Sequence, residues 1–271
     1  MKKSKNRVWI VILIILLILI LMCVGYMVFR SISISNENDE YKNLASSVAP
    51  NISSTEITSP SNIDVELADN PIDFASLKEK NEDIYAWIYV PDTHINYPVC
   101  QSATDDNFYL DHDIYGNYSY AGAIYSQVCN SKDFSDRVTV LYGHNMADNT
   151  MLGDIHKFAN EDFMNENRYF YIYTPGHKLK YEAVSAYVYD DRHIMNSFDF
   201  SKDEVFKDYI DSILNPHSLT KCVREGANID INDKIVTLST CLDVGQGRFL
   251  LQGVLTEDEL TKWWVQRYIF K

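Results

Sequence analysis

From Val8 to Phe29 the chain is almost uninterruptedly apolar, and about 20 such residues suffice to cross a bilayer as a helix. The pattern then inverts. From Ser31 to Asn70 the chain is dominated by Ser, Asn, Glu, Asp and small residues, with Pro50 and Pro60 and no sustained period. Such a segment buries too little apolar surface to offset chain entropy, so residues 31–70 are expected to be a flexible tether, with room for a short helix around Tyr41 to Ala49. Ordered structure is expected from Pro71, where Phe74, Leu77, Ile84 and Trp87 fall near a helical stripe that Asn81 and Asp83 break into two short helices. Residues 71–271 are thus predicted to form one folded domain behind a tail and span over residues 1–30.

Beyond Trp87 the period shortens. Ile88 to Val90, Ile95 to Cys100, Gly122 to Val128, Arg137 to Tyr142, Arg168 to Tyr173, Lys180 to Tyr189, Lys234 to Ser239 and Phe249 to Leu255 are short runs rich in Ile, Val, Tyr and Phe. Eight short strands predict a mainly β fold, a closed or nearly closed barrel with peripheral helices. Helical spacing interrupts them twice. Met151, Leu152, Ile155 and Phe158 share a face behind a cap at Asn149 or Thr150. Ser201-Lys202-Asp203-Glu204 reads as a capping box before Val205, Phe206, Tyr209, Ile210, Ile213 and Leu214, a run that Asn215-Pro216 stops.

Charge sets the topology and removes one class of partner. Lys2, Lys3, Lys5 and Arg7 precede the apolar run and only Arg30 follows closely, so the positive-inside bias keeps the N-terminus cytoplasmic and exports the rest. A cleaved signal peptide has a shorter apolar region with small residues at its cleavage site. The first 30 residues hold five Lys/Arg and no acid, so the remaining 241 carry 19 basic against 38 acidic side chains. Such a surface repels nucleic acid, whose binding needs basic patches.

Four cysteines lie beyond the span, Cys100, Cys129, Cys222 and Cys241, too few over this length for a disulfide framework. No C-x-x-C, H-E-x-x-H or His-rich cluster is present, so neither a metal nor a cofactor is expected. Cys100, Cys129 and Cys222 read as inert thiols. Cys241 differs because it closes the apolar strand Thr237-Leu238-Ser239-Thr240-Cys241, and Arg248 follows seven positions later. His144 likewise ends the β-branched run Val138 to Leu141, within Leu141-Tyr142-Gly143-His144-Asn145. A free thiol has a pKa of about 8.5 and needs help to ionise. An imidazole can supply it and can protonate a departing amine. A permanently charged guanidinium can hold a carbonyl and stabilise its oxyanion. These three residue types fit acyl transfer through a thioester, although a Gly-His after a strand and an Arg on a strand are each also common as plain structure. His94, His112, His156, His177, His193 and His217 have no partner legible in the sequence and read as surface or structure.

The T-L-x-T-C run with an Arg at the start of the next strand, a strand-terminal histidine upstream and an N-terminal anchor together resemble the sortase family of Gram-positive cell-surface transpeptidases, over roughly residues 71 to 256. The Ser form of the motif at Ser239, Gly-His-Asn-Met-Ala-Asp-Asn-Thr-Met after the histidine strand and the helix at 201–214 are similar to class B. So are the Trp87-Ile88 opening and Tyr109-Leu110-Asp111-His112-Asp113. The resemblance implies an eight-stranded sortase-type barrel with N-terminal helices and a helix inserted before the cysteine strand. It also implies Cys241 as nucleophile, His144 as general acid/base, Arg248 as the substrate-positioning and oxyanion-stabilising group, and Ser239 as a substrate contact. The implied substrates are exported proteins with a C-terminal sorting signal of the Asn-Pro-x-Thr-Asn type, cut after Thr, and the amine of a cell-wall peptidoglycan precursor. Pilus-building relatives carry an Asp-Pro-aromatic lid and often a second span. Residues 31–70 lack that tripeptide, and the aromatic tail Trp263 to Phe270 is too short to cross a bilayer. Three other readings stay open: a peptidase with water as acceptor, a pilin-polymerising enzyme, and a non-catalytic exported binding barrel with Cys241 in its core.

Overall fold

The computed structural model describes residues 2–50, 52, 70–242 and 245–262, which divide into two compact units, residues 1–43 and 44–271. Helix α1 runs from Lys2 to Val48. It is the one helix among the described residues long and apolar enough to cross a membrane. The segment expected to be a tether is therefore helical as far as Val48. Its last turns coincide with the short helix given room around Tyr41 to Ala49, where Leu44, Ala45, Val48 and Ala49 are buried in the second unit and the Val48 carbonyl accepts from Asp73 N at 2.9 Å. Residues 53–69 of the expected tether and the tail from Trp263 lie outside the described residues.

Helix α2, Phe74–Lys80, is capped by Asp73, whose carboxylate accepts from Ser76 N. The second helix expected through Ile84 and Trp87 is instead strand β1, Ile84–Tyr89. Asn81 turns extended at the end of α2, and the aromatic and β-branched residues that follow are buried on both faces of the strand, which no single helical stripe would allow. The remaining strands are β2 Asn96–Cys100, β3 Ile124–Tyr125, β4 Val138–Tyr142, β5 Tyr169–Thr174, β6 His177–Tyr189, β7 Lys221–Val223, β8 Ile235–Cys241 and β9 Arg248–Leu260.

Eight of these strands close a barrel in the order β5-β1-β2-β3-β4-β8-β9-β6, with β6 returning to β5. Every expected strand is present. The addition is β7, which pairs with β6 at Ser185 to Tyr187, beyond the stretch His177 to Glu182 that β5 occupies. Pairings β2–β3 and β4–β8 are parallel and the others antiparallel. Side chains across the lumen are close-packed: a β-carbon on Gly253 of β9 would collide with the Phe170 ring of β5.

The segment Met151 to Phe158 is a 3₁₀ helix, Gly153–Ala159, rather than an α-helix capped at Asn149 or Thr150. Asn149 and Met151 have left-handed backbone, φ 61° and 54°, which no helix start accommodates. Helix α3, Glu161–Glu166, and helix α4, Ile194–Ser197, follow. Helix α5, Asp203–Leu214, is the inserted helix, but its N-cap is Lys202, because the Ser201 hydroxyl donates to Asp199 Oδ1 at 2.6 Å instead of capping. Phe206, Tyr209, Ile210 and Ile213 of α5 pack on Val138 and Val140 of β4, Ile235 of β8, and Leu250 and Val254 of β9. Between helix and sheet, Tyr209, Thr237, Gln252 and Tyr187 are linked by buried hydrogen bonds.

Burial holds phenols neutral in this fold, pushing Tyr97, Tyr125 and Tyr209 up to about 12. An unfolded tyrosine ionises near 10, so above about pH 10 the unfolded chain releases protons that the native chain keeps, and stability falls as pH rises. Below pH 10 both states keep these protons and no such loss occurs. Urea midpoints are expected to be insensitive to these groups up to about pH 10 and to drop from there to about pH 12. Native phenolate absorbance that titrated like free tyrosine would contradict this.

Candidate active site

The face of the sheet that receives α5 also carries the candidate chemistry. Strand alternation puts Val138, Val140 and Tyr142 of β4, Ile235, Thr237, Ser239 and Cys241 of β8, and Arg248, Leu250 and Gln252 of β9 on one side. Helix α5 covers the lower part of that face. Cys241, the last residue of β8, is exposed.

Cys241 and Arg248 are direct cross-strand partners, and Arg248 Nη1 lies 3.5 Å from Cys241 Sγ. On the other edge, β4 and β8 run parallel with Tyr142 opposite Ser239. The chain carries this edge on to Gly143, which brings His144 to the same end of the sheet as Cys241. The extension is held by backbone and side chain alike, since Gly143 N donates to the Ser239 carbonyl at 3.2 Å and Thr240 Oγ1 donates to the Gly143 carbonyl at 2.7 Å. Gly143 admits no larger residue without movement, because a β-carbon would stand 2.6 Å from Ile124 Cδ1 and 2.8 Å from Leu152 Cγ.

The imidazole of His144 stacks on Tyr120, centroids 5.9 Å apart and planes 15° off parallel, and its Nε2 lies 2.8 Å from the Leu110 carbonyl. A carbonyl only accepts, so Nε2 carries the hydrogen and the lone pair of the neutral ring resides on Nδ1. Ser239 is buried two residues before Cys241 on the same face. The rings of Tyr125 and Tyr142, on the neighbouring strands β3 and β4, lie with centroids 5.5 Å apart and planes tilted by 31°. The charge of Arg248 partly offsets the burial that raises the Tyr125 phenol.

The structure thus gathers Cys241, His144, Arg248 and Ser239 at one end of β4, β8 and β9. Burial pushes the thiols of Cys100, Cys129 and Cys222 up, which favours their protonated form. Sequence reasoning missed the Leu110 carbonyl and Tyr120, which carry no local signature of their role, and His156, whose Nε2 reaches the Cys241 carbonyl at 3.1 Å. Among the described residues, no group of three or more His, Cys, Asp or Glu side chains is placed to hold a metal ion.

Residues 88–256 match the family described as "Sortase domain". The chain belongs to the sortase family. It is 31% identical over 207 residues to Sortase B of Listeria monocytogenes, covering 74% of this chain and 80% of that one. Among solved structures, sortase B of Clostridium perfringens is 33% identical with a TM-score of 0.62, covering 68% of this chain and 100% of that one. Sortase B of B. anthracis, in complex with AAEK1, is 26% identical with a TM-score of 0.68, covering 83% and 99%. Class B is thus the class of its relatives in sequence and in structure, and the enzyme is a sortase-type cysteine transpeptidase.

The Leu110 carbonyl that meets His144 is itself held against Gly122. That glycine has φ +60°, and a β-carbon there would stand 2.6 Å from the Leu110 oxygen and 2.5 Å from the Tyr109 oxygen. Gly122→Ala is expected to destabilise the domain by about 1 to 3 kcal/mol and to shift the His144 Nε2 resonance as the carbonyl is pushed aside. Gly116→Ala, also at positive φ but with only Phe108 Cζ at 4.0 Å, is expected to leave that resonance in place. The two ¹⁵N imidazole spectra test the distinction.

Proposed function

We propose that this sortase, anchored by residues 8–29 with its N-terminus in the cytoplasm, cuts a C-terminal sorting signal after Thr and transfers the acyl group to a cell-wall amine. The observation that carries this reading is the Cys241–Arg248 pair, Nη1 to Sγ 3.5 Å, at the strand end that β4 extends toward with His144. Cys241 is the nucleophile, His144 the general acid/base and Arg248 the oxyanion and substrate-positioning group. Ser239, on the same face, is a substrate contact.

In the first half-reaction Cys241 Sγ, as thiolate, attacks the Thr carbonyl carbon, and the carbonyl electron pair moves to oxygen beside the Arg248 guanidinium. Collapse of this intermediate breaks the C–N bond, and the departing amine takes a proton from the imidazolium of His144. With Nε2 engaged by Leu110, that proton passes through Nδ1. In the second half-reaction an amine attacks the thioester, gives its proton back to His144, and displaces the Cys241 thiolate. Arg248 acts where charge develops, which makes its interaction stronger in the transition state than in the ground state.

The substrates of the proposed reaction are exported proteins bearing a signal of the Asn-Pro-x-Thr-Asn type, and the acceptor is the amine of a peptidoglycan precursor. Both are met on the outer membrane face, where the positive-inside bias of Lys2, Lys3, Lys5 and Arg7 would put the domain.

Incubating the full chain with Asn-Pro-x-Thr-Asn peptides and a set of amines, and reading products by mass spectrometry, tests the reaction. Cys241→Ala is expected to abolish both cleavage and transfer, whereas Cys100→Ala leaves both in place; an active Cys241→Ala enzyme would sink the proposal. Arg248→Lys keeps the charge but loses the fork, and kcat is expected to fall by about 10²-fold or more. If added amines leave only the hydrolysed product, water is the acceptor and the enzyme is a peptidase.

Protease added outside intact cells is expected to digest residues 71–262 and spare the N-terminal tail. The reverse pattern would refute the orientation.

A further inference from the structure

Strand β8 is paired on both edges, yet its last carbonyl has lost a neighbour. Carbonyls two residues apart on a strand point to the same edge. The Ser239 carbonyl points to β4 and accepts from Gly143 N at 3.2 Å, so the Cys241 carbonyl points to that edge too. There the ladder has ended, because the chain turns after His144: the His144 carbonyl accepts from Leu152 N at 3.0 Å, and Asn145 pairs with Met151. The group that reaches the Cys241 carbonyl is the His156 imidazole, Nε2 at 3.1 Å. The contact needs Nε2 to carry a hydrogen, since the carbonyl can only accept.

Two further features hold the ring there. It stacks on Phe249, centroids 4.5 Å apart and planes 22° off parallel, and Phe249 is buried opposite Thr240. The 3₁₀ helix that carries His156 is pinned at Asp154, a carboxylate 1% exposed. Its Oδ2 accepts from His94 N at 2.7 Å and lies 2.8 Å from His94 Nδ1, and its Oδ1 is 3.1 Å from Lys157 Nζ.

We propose that His156 is a positioning residue for the nucleophile: its Nε2–H replaces the donor that β4 no longer offers and holds the end of β8 so that Cys241 stays opposite Arg248. This rests on the reading of Cys241 as nucleophile and extends it to the backbone of that residue. The strand end is thereby gripped from both edges, by the Arg248 pairing on one and by an imidazole on the other. His156 touches neither substrate nor the reacting sulfur in this role. It acts through the carbonyl of the residue that does.

The test uses the full chain in detergent micelles and needs no sorting peptide. The rate at which iodoacetamide alkylates Cys241, read from the mass of its tryptic fragment, is followed against pH for the wild type, His156→Phe and His156→Gln. Phe keeps a ring to stack on Phe249 and has no donor; Gln keeps a donor near the Nε2 position. His156→Phe is expected to slow alkylation near neutral pH by about fivefold and to move the profile upward in pH as the thiolate loses its place against Arg248. His156→Gln is expected to restore rate and profile to near those of the wild type. A His156→Phe rate within error of the wild type would overturn the proposal. So would a His156→Gln rate as slow as that of His156→Phe with unchanged melting temperature, since ring packing and not the donor would then matter. Full transpeptidation by Cys241→Ala would remove the nucleophile reading itself, a result separate from either of these.

Discussion

The register of β8 between its two neighbours is the constraint on which the site depends. Its parallel pairing with β4 sets Tyr142 opposite Ser239, and its antiparallel pairing with β9 sets Cys241 opposite Arg248. A slip of one residue on either edge would turn every side chain of β8 to the other face and carry Cys241 toward the lumen. Burial resists that slip, because Ile235 and Thr237 fit under the inserted helix while Val236, Leu238 and Thr240 are buried on the opposite face.

The inserted helix therefore does more than cover apolar surface. Its Tyr209 joins Thr237 and Gln252 in a buried hydrogen-bond network with Tyr187, and a satisfied buried network specifies one arrangement of its members. These residues lie directly below Ser239 on β8 and Leu250 on β9. The end of the sheet that carries Cys241 and Arg248 is a continuation of this fixed layer, which limits how far the two can drift apart. Precise placement of this kind is what an acyl-transfer site needs, since small displacements of a reacting group cost rate steeply.

The upstream half of the site is built differently. His144 lies past the end of β4, where regular pairing has ceased, and depends on a stack with Tyr120 and on the Leu110 carbonyl. Both come from the segment between β2 and β3, whose path is fixed by Gly122 at a left-handed backbone position packed against the Tyr109 and Leu110 carbonyls. A cysteine held by strands thus shares one end of the sheet with a histidine held by loops, and the 3₁₀ helix after β4 reaches back to the Cys241 carbonyl.

Periodicity alone determined most of the frame: the apolar run at residues 8–29, the eight barrel strands and the helix through Phe206 and Ile213 follow from spacings of two and 3.6 residues. The run ending at Cys241, with Arg248 and His144, was legible as a candidate site because these residues sat at strand ends in a recognisable motif. What spacing could not decide was every feature set by distant partners. Residues 31–40 read as polar tether yet belong to the helix that runs on to Val48, and the short helix given room around Tyr41 to Ala49 is where Leu44, Ala45 and Val48 are buried. Ile84 and Trp87 suit a helical stripe but become a strand because both faces are enclosed. His156 read as an ordinary surface histidine, since the carbonyl it meets is 85 residues away in sequence. A sequence carries the preferences of neighbours a few residues apart, whereas a hydrogen bond to an unpaired strand end exists only once the barrel has closed.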